Sequence, residues 1–245
     1  MTLNKKKLDK IKKGFDENGY ILLNKFFDKN KIALIKKNLF NFLNKKKRNF
    51  KKKREIHFAN TSKLINSVHH LKWPYIQKFR GNKKILKIVK YILEDDLKNF
   101  GAEVFAKPAK VGMPAPIHQD NFYWNVNNGK GVTVWIALDE STKKNGAIFY
   151  YKKSHKVGLL DHKCSYAPGS SQELENKKIL KQFKKFTPEL NVGDILIHHC
   201  LVVHGSKKNL SKNDRAGLTL RYIGKSSKIN KSQKNKYEKD LKKQI

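Results

Sequence analysis

The hydrophobic pattern of this chain changes its period near residue 97, and this change constrains the fold more than any other feature. Before it, apolar residues recur at helical spacing, in residues 5–13, after Asp28 and from Lys83 to Leu93. After it, short alternating or β-branched runs are separated by turn signals such as Asn145-Gly146. Helices followed by many short strands are typical of helices packed on a β-sandwich. We therefore expect a mainly β fold, with a jelly-roll (double-stranded β-helix, cupin-like) core and N-terminal helices.

The predicted elements are as follows. Asp28 is expected to cap a second helix that buries Ile32, Ile35, Leu39 and Phe42. A short strand should follow Gly19, and later strands are predicted at Phe100–Lys107, Val132–Leu138, Ala147–Tyr151, Ile195–His199 and Ala216–Ile223. Lys45–Arg54 is predicted as a basic loop, and 164–185 as a long polar loop. Since no repeat or linker is visible, residues 1–224 are expected to form one domain, followed by a Lys-rich tail, 225–245, with no assigned function.

The residues that suggest chemistry are His118, Asp120 and His204. His118 and Asp120 are two positions apart, so their side chains share one side of a regular strand, and Gln119 between them points away. Two histidines and a carboxylate on one side of a metal leave open positions opposite, as non-heme Fe(II) requires. His204 follows an apolar run far along the chain. We expect the three to meet only if the sheet closes on itself.

A 2-oxo acid that chelates the iron would leave a second carboxylate to be bound, and arginine is its natural partner. Arg215 lies eleven residues after His204, and Arg221 lies six residues further on. Their even separation puts both on one strand face, so from the residues alone either arginine could be this anchor.

The remaining histidines are expected to be structural, with one exception. His198 should share the strand face of His204, whereas His199 should point away from it. His155 could approach a substrate or simply lie at the surface. The others in this group are His57, His69, His70 and His162.

The motifs taken in order resemble the phytanoyl-CoA dioxygenase family of Fe(II)/2-oxoglutarate oxygenases. The resemblance runs from about Phe15 to Ile223, and it rests on His118-Gln119-Asp120, Trp135–Asp139, Asn145-Gly146, Ser154–Gly158, Gly193-Asp194, His204-Gly205-Ser206 and Arg215. By position, the resemblance implies iron ligands at His118, Asp120 and His204. It also implies a 2-oxoglutarate anchor at Arg215, assisted by Ser206, with Trp124 lining the cosubstrate pocket.

The resemblance implies a hydroxylase that uses Fe(II), 2-oxoglutarate and dioxygen on a small organic substrate. The carboxylate of Asp120 favours hydroxylation, because halogenating relatives have a small residue at that position. The usual Pro-Gly before Ser154 is replaced by Lys152-Lys153, which leaves the substrate open. Two alternatives remain: a cupin-like binding protein without turnover, and an oxygenase directed at nucleic acid.

The net charge of +35 is the reason for the nucleic-acid alternative. Nearly all the basic residues are lysines, only five are arginines, and 189–206 contains no basic residue besides histidine. We therefore interpret the excess as a lysine-rich surface and do not expect a nucleic-acid partner. No run approaches 18 apolar residues and no secretory signal is visible, so a cytoplasmic protein without a membrane span is expected. Cys164 and Cys200 are expected to be free thiols. The oligomeric state cannot be read from the sequence.

Overall fold

The computed structural model describes residues 3–46, 55–59 and 63–243, which form six α-helices and thirteen β-strands. The helices are α1 (Lys5–Asn18), α2 (Lys29–Lys46), α3 (Ile76–Arg80), α4 (Lys83–Leu93), α5 (Asn121–Trp124) and α6 (Lys231–Lys242). The strands are β1 (Tyr20–Leu23), β2 (Ile56–Phe58), β3 (Ile65–Val68), β4 (Leu97–Lys107), β5 (Ala115–His118), β6 (Gly131–Ala137), β7 (Ile148–Tyr151), β8 (His162–Ala167), β9 (Ser170–Leu174), β10 (Lys185–Phe186), β11 (Ile195–His199), β12 (His204–Ser206) and β13 (Arg215–Gly224). Two 3-10 helices cover Ser154–Val157 and Lys177–Gln182.

The strands form two antiparallel sheets and a separate hairpin. The larger sheet has the order β1-β11-β6-β13-β4-β3-β2, the smaller has the order β10-β7-β12-β5, and β8 pairs with β9. Strand β6, predicted as a central strand, is buried along its whole length between β11 and β13. The two sheets therefore provide a sandwich whose interior can hold a site.

The core has one layer on each side of the larger sheet. Alternate residues of β4, β6, β11 and β13 pack against α1 to α4, and they include Val134, Ile136 and Leu218. The residues between them, such as Trp135 and Leu196, pack against Tyr150 of the smaller sheet. This alternation follows from the period-two geometry of strands, and it sends Trp135 into the sandwich interior.

The N-terminal helices form as their sequence predicts. Helix α1 buries Leu8, Ile11 and Phe15 on one face and ends at Gly19, whose left-handed φ of 82° suits glycine. Asp28 accepts a hydrogen bond from the backbone N–H of Lys31 at 2.9 Å, as a helix cap does. Helix α2 includes Lys45 and Lys46, and the rest of the predicted basic loop, 47–54, lies outside the described residues.

The prediction of a long loop at 164–185 is wrong. Strands β8 and β9 form a hairpin there, with Gly169 in a left-handed turn at φ 75°, and a 3-10 helix follows. The hairpin side chains are mostly polar or half-exposed, so the segment lacks the apolar alternation that identifies a buried strand. None of the described helices is long and apolar enough to cross a bilayer.

Candidate metal centre

His118 and His204 lie on neighbouring strands of the smaller sheet. Strand β5 ends at His118, strand β12 begins at His204, and the two residues are direct partners in the antiparallel register. Their ring centroids are 4.4 Å apart. The segment that carries His118 and the distant His204 thus meet through the pairing of β5 with β12 in the smaller sheet. Local sequence does not show which strands become neighbours, and here a single strand pairing brings the two rings together.

Asp120 lies outside the strand on which it was expected. The chain leaves β5 after His118, and Asp120 precedes helix α5 with helical backbone angles, φ −56° and ψ −34°. Strand periodicity therefore does not explain why its carboxylate faces His118. The turn is held by Gln119, whose amide donates to the carbonyls of Gly158 and Leu201 at 2.8 and 2.6 Å. Gln119 thus has a structural role.

The three side chains converge closely enough to hold one metal ion. Their ligand atoms all lie within 4.8 Å of one another. Oxygen Oδ1 of Asp120 is 3.6 Å from Nε2 of His118 and 3.7 Å from Nε2 of His204. No other described group of three or more His, Cys, Asp or Glu residues meets the same distance criterion.

The hydrogen bonds of the two histidines fix which ring nitrogen faces the carboxylate. Nδ1 of His118 donates to the carbonyl of Pro116 at 2.7 Å, and Nδ1 of His204 donates to that of Val202 at 3.0 Å. Because a carbonyl can only accept, each Nδ1 carries the proton and each neutral ring keeps a lone pair on Nε2. Both lone pairs are therefore available to a metal ion.

The electrostatics of the site suit a divalent cation. Burial alone would raise the pKa of Asp120, but His204, His118 and His198 hold this pKa well below its usual range. Burial is the largest cause that lowers the pKa of His204, to about 3. The site thus presents an anionic carboxylate beside a neutral imidazole. Two histidines and one carboxylate are the donor set that non-heme Fe(II) prefers, so the residues present fit that ion.

The second oxygen of Asp120 is held by the larger sheet. Oδ2 accepts hydrogen bonds from the hydroxyl of Thr133 at 2.6 Å and from Nε2 of His198 at 3.0 Å. Thr133 and His198 are register partners on β6 and β11. The sequence placed His198 on the same face as His204 but gave no reason to expect contact with Asp120.

Arg215 and Arg221 differ in whether a carboxylate pairs with the charge of the guanidinium group. Arg221 forms an ion pair with Glu103 at 3.4 Å, and it packs against Phe100 and Trp124. Arg215 is 2 % exposed and donates through Nη2 to the carbonyl of Gly146. No described carboxylate lies within ion-pair distance of Arg215, so its charge remains available to an anion.

Four buried donors of the larger sheet have no hydrogen-bond partner among the described residues. One is Nε of Arg221, and the other three, which form one patch, are Nε of Arg215, Nε1 of Trp135 and the hydroxyl of Thr219. Trp135 and Thr219 are register partners, and the Arg215 guanidinium lies 5.5 Å from the Trp135 ring centroid. Buried donors without partners are costly, so this patch between Asp120 and Arg215 suits a ligand rich in acceptor oxygens.

The other two residues implied for the cosubstrate pocket lie on different elements, Ser206 on β12 and Trp124 on α5. Ser206 is buried in β12 two residues after His204, and its strand pairs with β7 at Ile148. Trp124 lies beside Arg221 and Phe100, because α5 carries it to that end of the sandwich. The tryptophan beside Arg215 is Trp135, which the sequence does not distinguish from an ordinary core residue.

The other histidines have partners away from the three convergent ligands. Nε2 of His162 accepts from the backbone N–H of Gln119 at 3.0 Å, and Nδ1 of His69 contacts Glu103 at 2.8 Å. Nε2 of His155 contacts the carbonyl of Asp16. The single strand expected to carry His198, His199 and His204 is wrong, because β11 ends at His199 and His204 begins β12 in the other sheet. Nδ1 of His199 accepts from the backbone N–H of Leu201 at 3.0 Å.

Curated relatives are oxygenases by name. A probable alpha-ketoglutarate-dependent hypophosphite dioxygenase of Stutzerimonas stutzeri is 27 % identical over 169 residues, which is 67 % of this chain and 59 % of the relative. Phytanoyl-CoA dioxygenase 1 of Oryza sativa subsp. japonica is 30 % identical over 49 % of this chain and 42 % of its own length. Ectoine dioxygenase of Sphingopyxis alaskensis is 22 % identical over 89 % of this chain and 76 % of its own length. The chain thus spans less than two thirds of the first two relatives.

Solved structures show the same architecture. The carbocyclase SnoK from nogalamycin biosynthesis matches with a TM-score of 0.75 at 18 % identity, over 94 % of this chain and 87 % of SnoK. EctD from S. alaskensis with bound Fe matches with a TM-score of 0.74 at 21 % identity, over 93 % of this chain and 79 % of EctD. These similarities confirm the predicted jelly-roll fold with N-terminal helices. The family description phytanoyl-CoA dioxygenase matches residues 15–217, more than half of the chain, and this protein therefore belongs to the phytanoyl-CoA dioxygenase family.

Proposed function

We propose that this protein is a non-heme Fe(II)- and 2-oxoglutarate-dependent dioxygenase that hydroxylates a small organic substrate. The observation that carries the proposal is the convergence of His118, Asp120 and His204 within 4.8 Å, with one carboxylate oxygen facing both Nε2 atoms. The names of the curated relatives support the reaction class. Because those names cover different substrates, they support a small molecule without specifying which one.

The residues of the chain have distinct roles in this proposal. Iron(II) held by His118, Asp120 and His204 would supply the redox chemistry that couples dioxygen and 2-oxoglutarate to substrate oxidation. Arg215 binds the distal carboxylate of 2-oxoglutarate, because its planar fork matches a carboxylate and no described acid neutralises it. Ser206 assists this anchor. The Trp135 and Thr219 donors, which lack partners among the described residues, offer hydrogen bonds along the same patch.

The structure favours Arg215 over Arg221 as the anchor, and Trp135 over Trp124 as the aromatic neighbour of the cosubstrate. Arg221 is already paired with Glu103, and Trp124 lies beside Arg221. Replacing Arg215 by Lys should raise the 2-oxoglutarate concentration needed for half-maximal turnover. The matched Arg221→Lys should leave this concentration near that of the wild type, and the reverse result would assign the anchor to Arg221.

The reaction class is tested by 2-oxoglutarate turnover with Fe(II) across a panel of metabolites, with succinate as the readout. We expect succinate to increase with one class of substrate and to disappear in His118→Ala, Asp120→Ala and His204→Ala, while circular dichroism shows that the variants remain folded. Binding of iron and 2-oxoglutarate without succinate under any condition would support the alternative of a cupin-like binding protein.

We also propose the domain limits and the compartment expected from the sequence. Residues 1–224 would form the dioxygenase domain, residues 225–245 would be a Lys-rich extension, and the protein would be cytoplasmic. Limited proteolysis followed by mass spectrometry tests the domain limit, and cell fractionation tests the compartment.

A further inference from the structure

The carboxylate of Asp120 uses its two oxygens differently. Oδ1 faces the Nε2 atoms of His118 and His204, whereas Oδ2 is bound by the side chains of Thr133 and His198. The two oxygens of a carboxylate are equivalent, but rotation of the group out of its present plane would break both bonds to Oδ2. The two donors therefore hold the carboxylate in a plane in which one oxygen faces the two histidines.

The direction of the hydrogen bond from His198 follows from its two neighbours. A carboxylate oxygen only accepts, so Nε2 of His198 carries a proton and donates to Asp120. In a neutral ring, Nδ1 then has a lone pair, and it accepts from the hydroxyl of Tyr150 at 3.0 Å. The result is a directed chain from Tyr150 through His198 to Asp120.

Both supporting residues are fixed by packing. His198 is 2 % exposed and Tyr150 is fully buried. Tyr150 is the register partner of His204 on β7, and its ring is stacked on that of His204 with centroids 5.7 Å apart. Tyr150 therefore links the position of one candidate ligand, His204, with the orientation of another, Asp120. A rigid donor of this kind restrains the carboxylate at no further entropic cost when a metal binds.

We propose that His198 is a positioning residue that fixes Asp120 as a ligand through one oxygen, and that Tyr150 holds His198 in the donor orientation. This inference rests on the proposed function, because it concerns the same metal centre. His198 does not contact the metal in this account: its Nε2 proton is directed at Oδ2 of Asp120. Partners of this kind orient metal ligands, and their loss typically weakens metal affinity by about 10- to 100-fold.

The test is the affinity of the purified protein for Co(II), a redox-stable and coloured probe, measured by anaerobic absorption titration without substrate. His198→Phe removes the donor and keeps a ring of similar size, so we expect affinity to fall by about 10- to 100-fold. His198→Gln keeps an N–H donor and should lose less. Tyr150→Phe removes the hydroxyl that orients His198 and should also lose less than His198→Phe.

Two controls separate positioning from general damage. His199→Gln changes the neighbouring histidine on the opposite face of β11 and should keep wild-type affinity. The melting temperature of each variant without metal shows whether the fold is intact. If His198→Phe does not fold, the two single variants His198→Gln and Tyr150→Phe still test the proposal.

The possible results distinguish the two proposals. Wild-type affinity in His198→Phe would overturn the positioning role while leaving the metal site in place. Equal losses in folded His198→Phe and His198→Gln would also overturn it, because the donor would then be irrelevant. A wild-type protein that binds neither Co(II) nor Fe(II) would overturn the proposed function, and this inference with it.

Discussion

The position of Trp135 depends most directly on Gly217. The environment of Arg215 depends in turn on Trp135. A Cβ atom at Gly217 would overlap Cε2, Cζ2 and Nε1 of the Trp135 indole. The indole therefore lies directly on the glycine backbone, with the Arg215 guanidinium 5.5 Å from its ring centroid. Since Arg215 is the proposed anchor for 2-oxoglutarate, this close approach links a packing requirement to cosubstrate binding.

Gly217→Ala should destabilise the protein by about 1–3 kcal/mol, because overpacking forces the Trp135 ring to move. It should also raise the 2-oxoglutarate concentration needed for half-maximal turnover. Chemical denaturation measures the free energy of unfolding. In the Trp135→Leu background the alanine should cost less, since the clash is gone, and an equal cost in both backgrounds would contradict this account.

Glu103 provides a prediction about pH. Burial alone would raise its pKa, but the charges of Arg221 and His69 outweigh burial and hold the pKa below its ordinary value. A carboxyl group whose folded pKa is lowered stabilises the protein above its unfolded pKa, about 4.3 for Glu, and this stabilisation is lost as pH falls through the folded pKa. Glu103→Gln should therefore lower the melting temperature most at neutral pH, with the difference from wild type shrinking below about pH 4.

The matched control for Glu103 is an exposed carboxylate. Asp96 pairs with Lys90 at 2.8 Å with both side chains more than half exposed, so Asp96→Asn should change the melting temperature little at any pH. A difference between wild type and Glu103→Gln that stays constant from neutral to acidic pH would contradict the role assigned to the Glu103 charge.

At the scale of single residues, the sequence predicts which residues could form the site better than it predicts which residues contact one another. The candidates His118, Asp120 and His204 could be chosen because their side-chain chemistry suits a metal and their motif order resembles a family. The contacts of His198 with Asp120, and of Trp135 with Arg215, depend on which strands are neighbours and in what register. Local sequence does not contain that information, so both residues were expected to be structural.

At the scale of elements, helix α6 covers the short helix that follows Asp120. Tyr237 of α6 packs edge-on against Tyr123 and Phe122 of α5, with ring centroids 5.5 and 6.4 Å apart. Tyr123 in turn packs against His118. The sequence of 225–245 shows little to bury, and none of the α6 residues is fully buried, which is why its composition does not predict this contact.

Tyr237→Ala should destabilise the protein by about 1 kcal/mol, because each aromatic pair contributes about 0.5–1.5 kcal/mol beyond the area that it buries. The control Leu210→Ala removes a side chain that is 74 % exposed and should change the free energy of unfolding by less than about 0.5 kcal/mol. Thermal or chemical denaturation of both variants measures the difference. Equal stability of Tyr237→Ala and wild type would show that α6 does not support α5.

Periodicity predicts five strands of the larger sheet, β1, β4, β6, β11 and β13, and the helices α1, α2 and α4, because these elements have one or two clearly apolar faces. It does not predict β2, β3 or α3 of the same part of the molecule. It fails for the hairpin β8–β9, whose side chains are mostly polar or half-exposed. It also gives no sign of β12, which begins only at His204, after the apolar run that precedes this histidine. Short strands next to turns are held by hydrogen bonds more than by their own hydrophobic pattern.

For the whole molecule, the net charge of +35 affects the stability of the folded state as well as the binding of charged partners. Like charges on a lysine-rich surface repel one another in the folded state, and salt screens this repulsion. Among the described lysines, Lys107 departs from the expected solvated surface: it is 5 % exposed, and its ammonium group donates to the carbonyls of Met113 and Lys207.

The melting temperature should rise as sodium or potassium chloride is increased from about 0.01 M to about 1 M, because the Debye length shortens from about 30 Å to about 3 Å. Both salts should act alike. A melting temperature that falls with salt would mean that attractive ion pairs outweigh repulsion. DNA or RNA binding that persists at physiological salt and in His118→Ala would favour the alternative of a nucleic-acid partner.

The most direct test of the central claim is an anaerobic titration of the protein with Fe(II) in the presence of 2-oxoglutarate, followed by visible absorption. We predict a charge-transfer band that requires both components and saturates at one iron per chain. The band should be absent in Asp120→Ala, and in Arg215→Ala it should require more 2-oxoglutarate. A wild-type protein without the band, or a band that survives Asp120→Ala unchanged, would contradict the assignment of His118, Asp120 and His204 as the iron site.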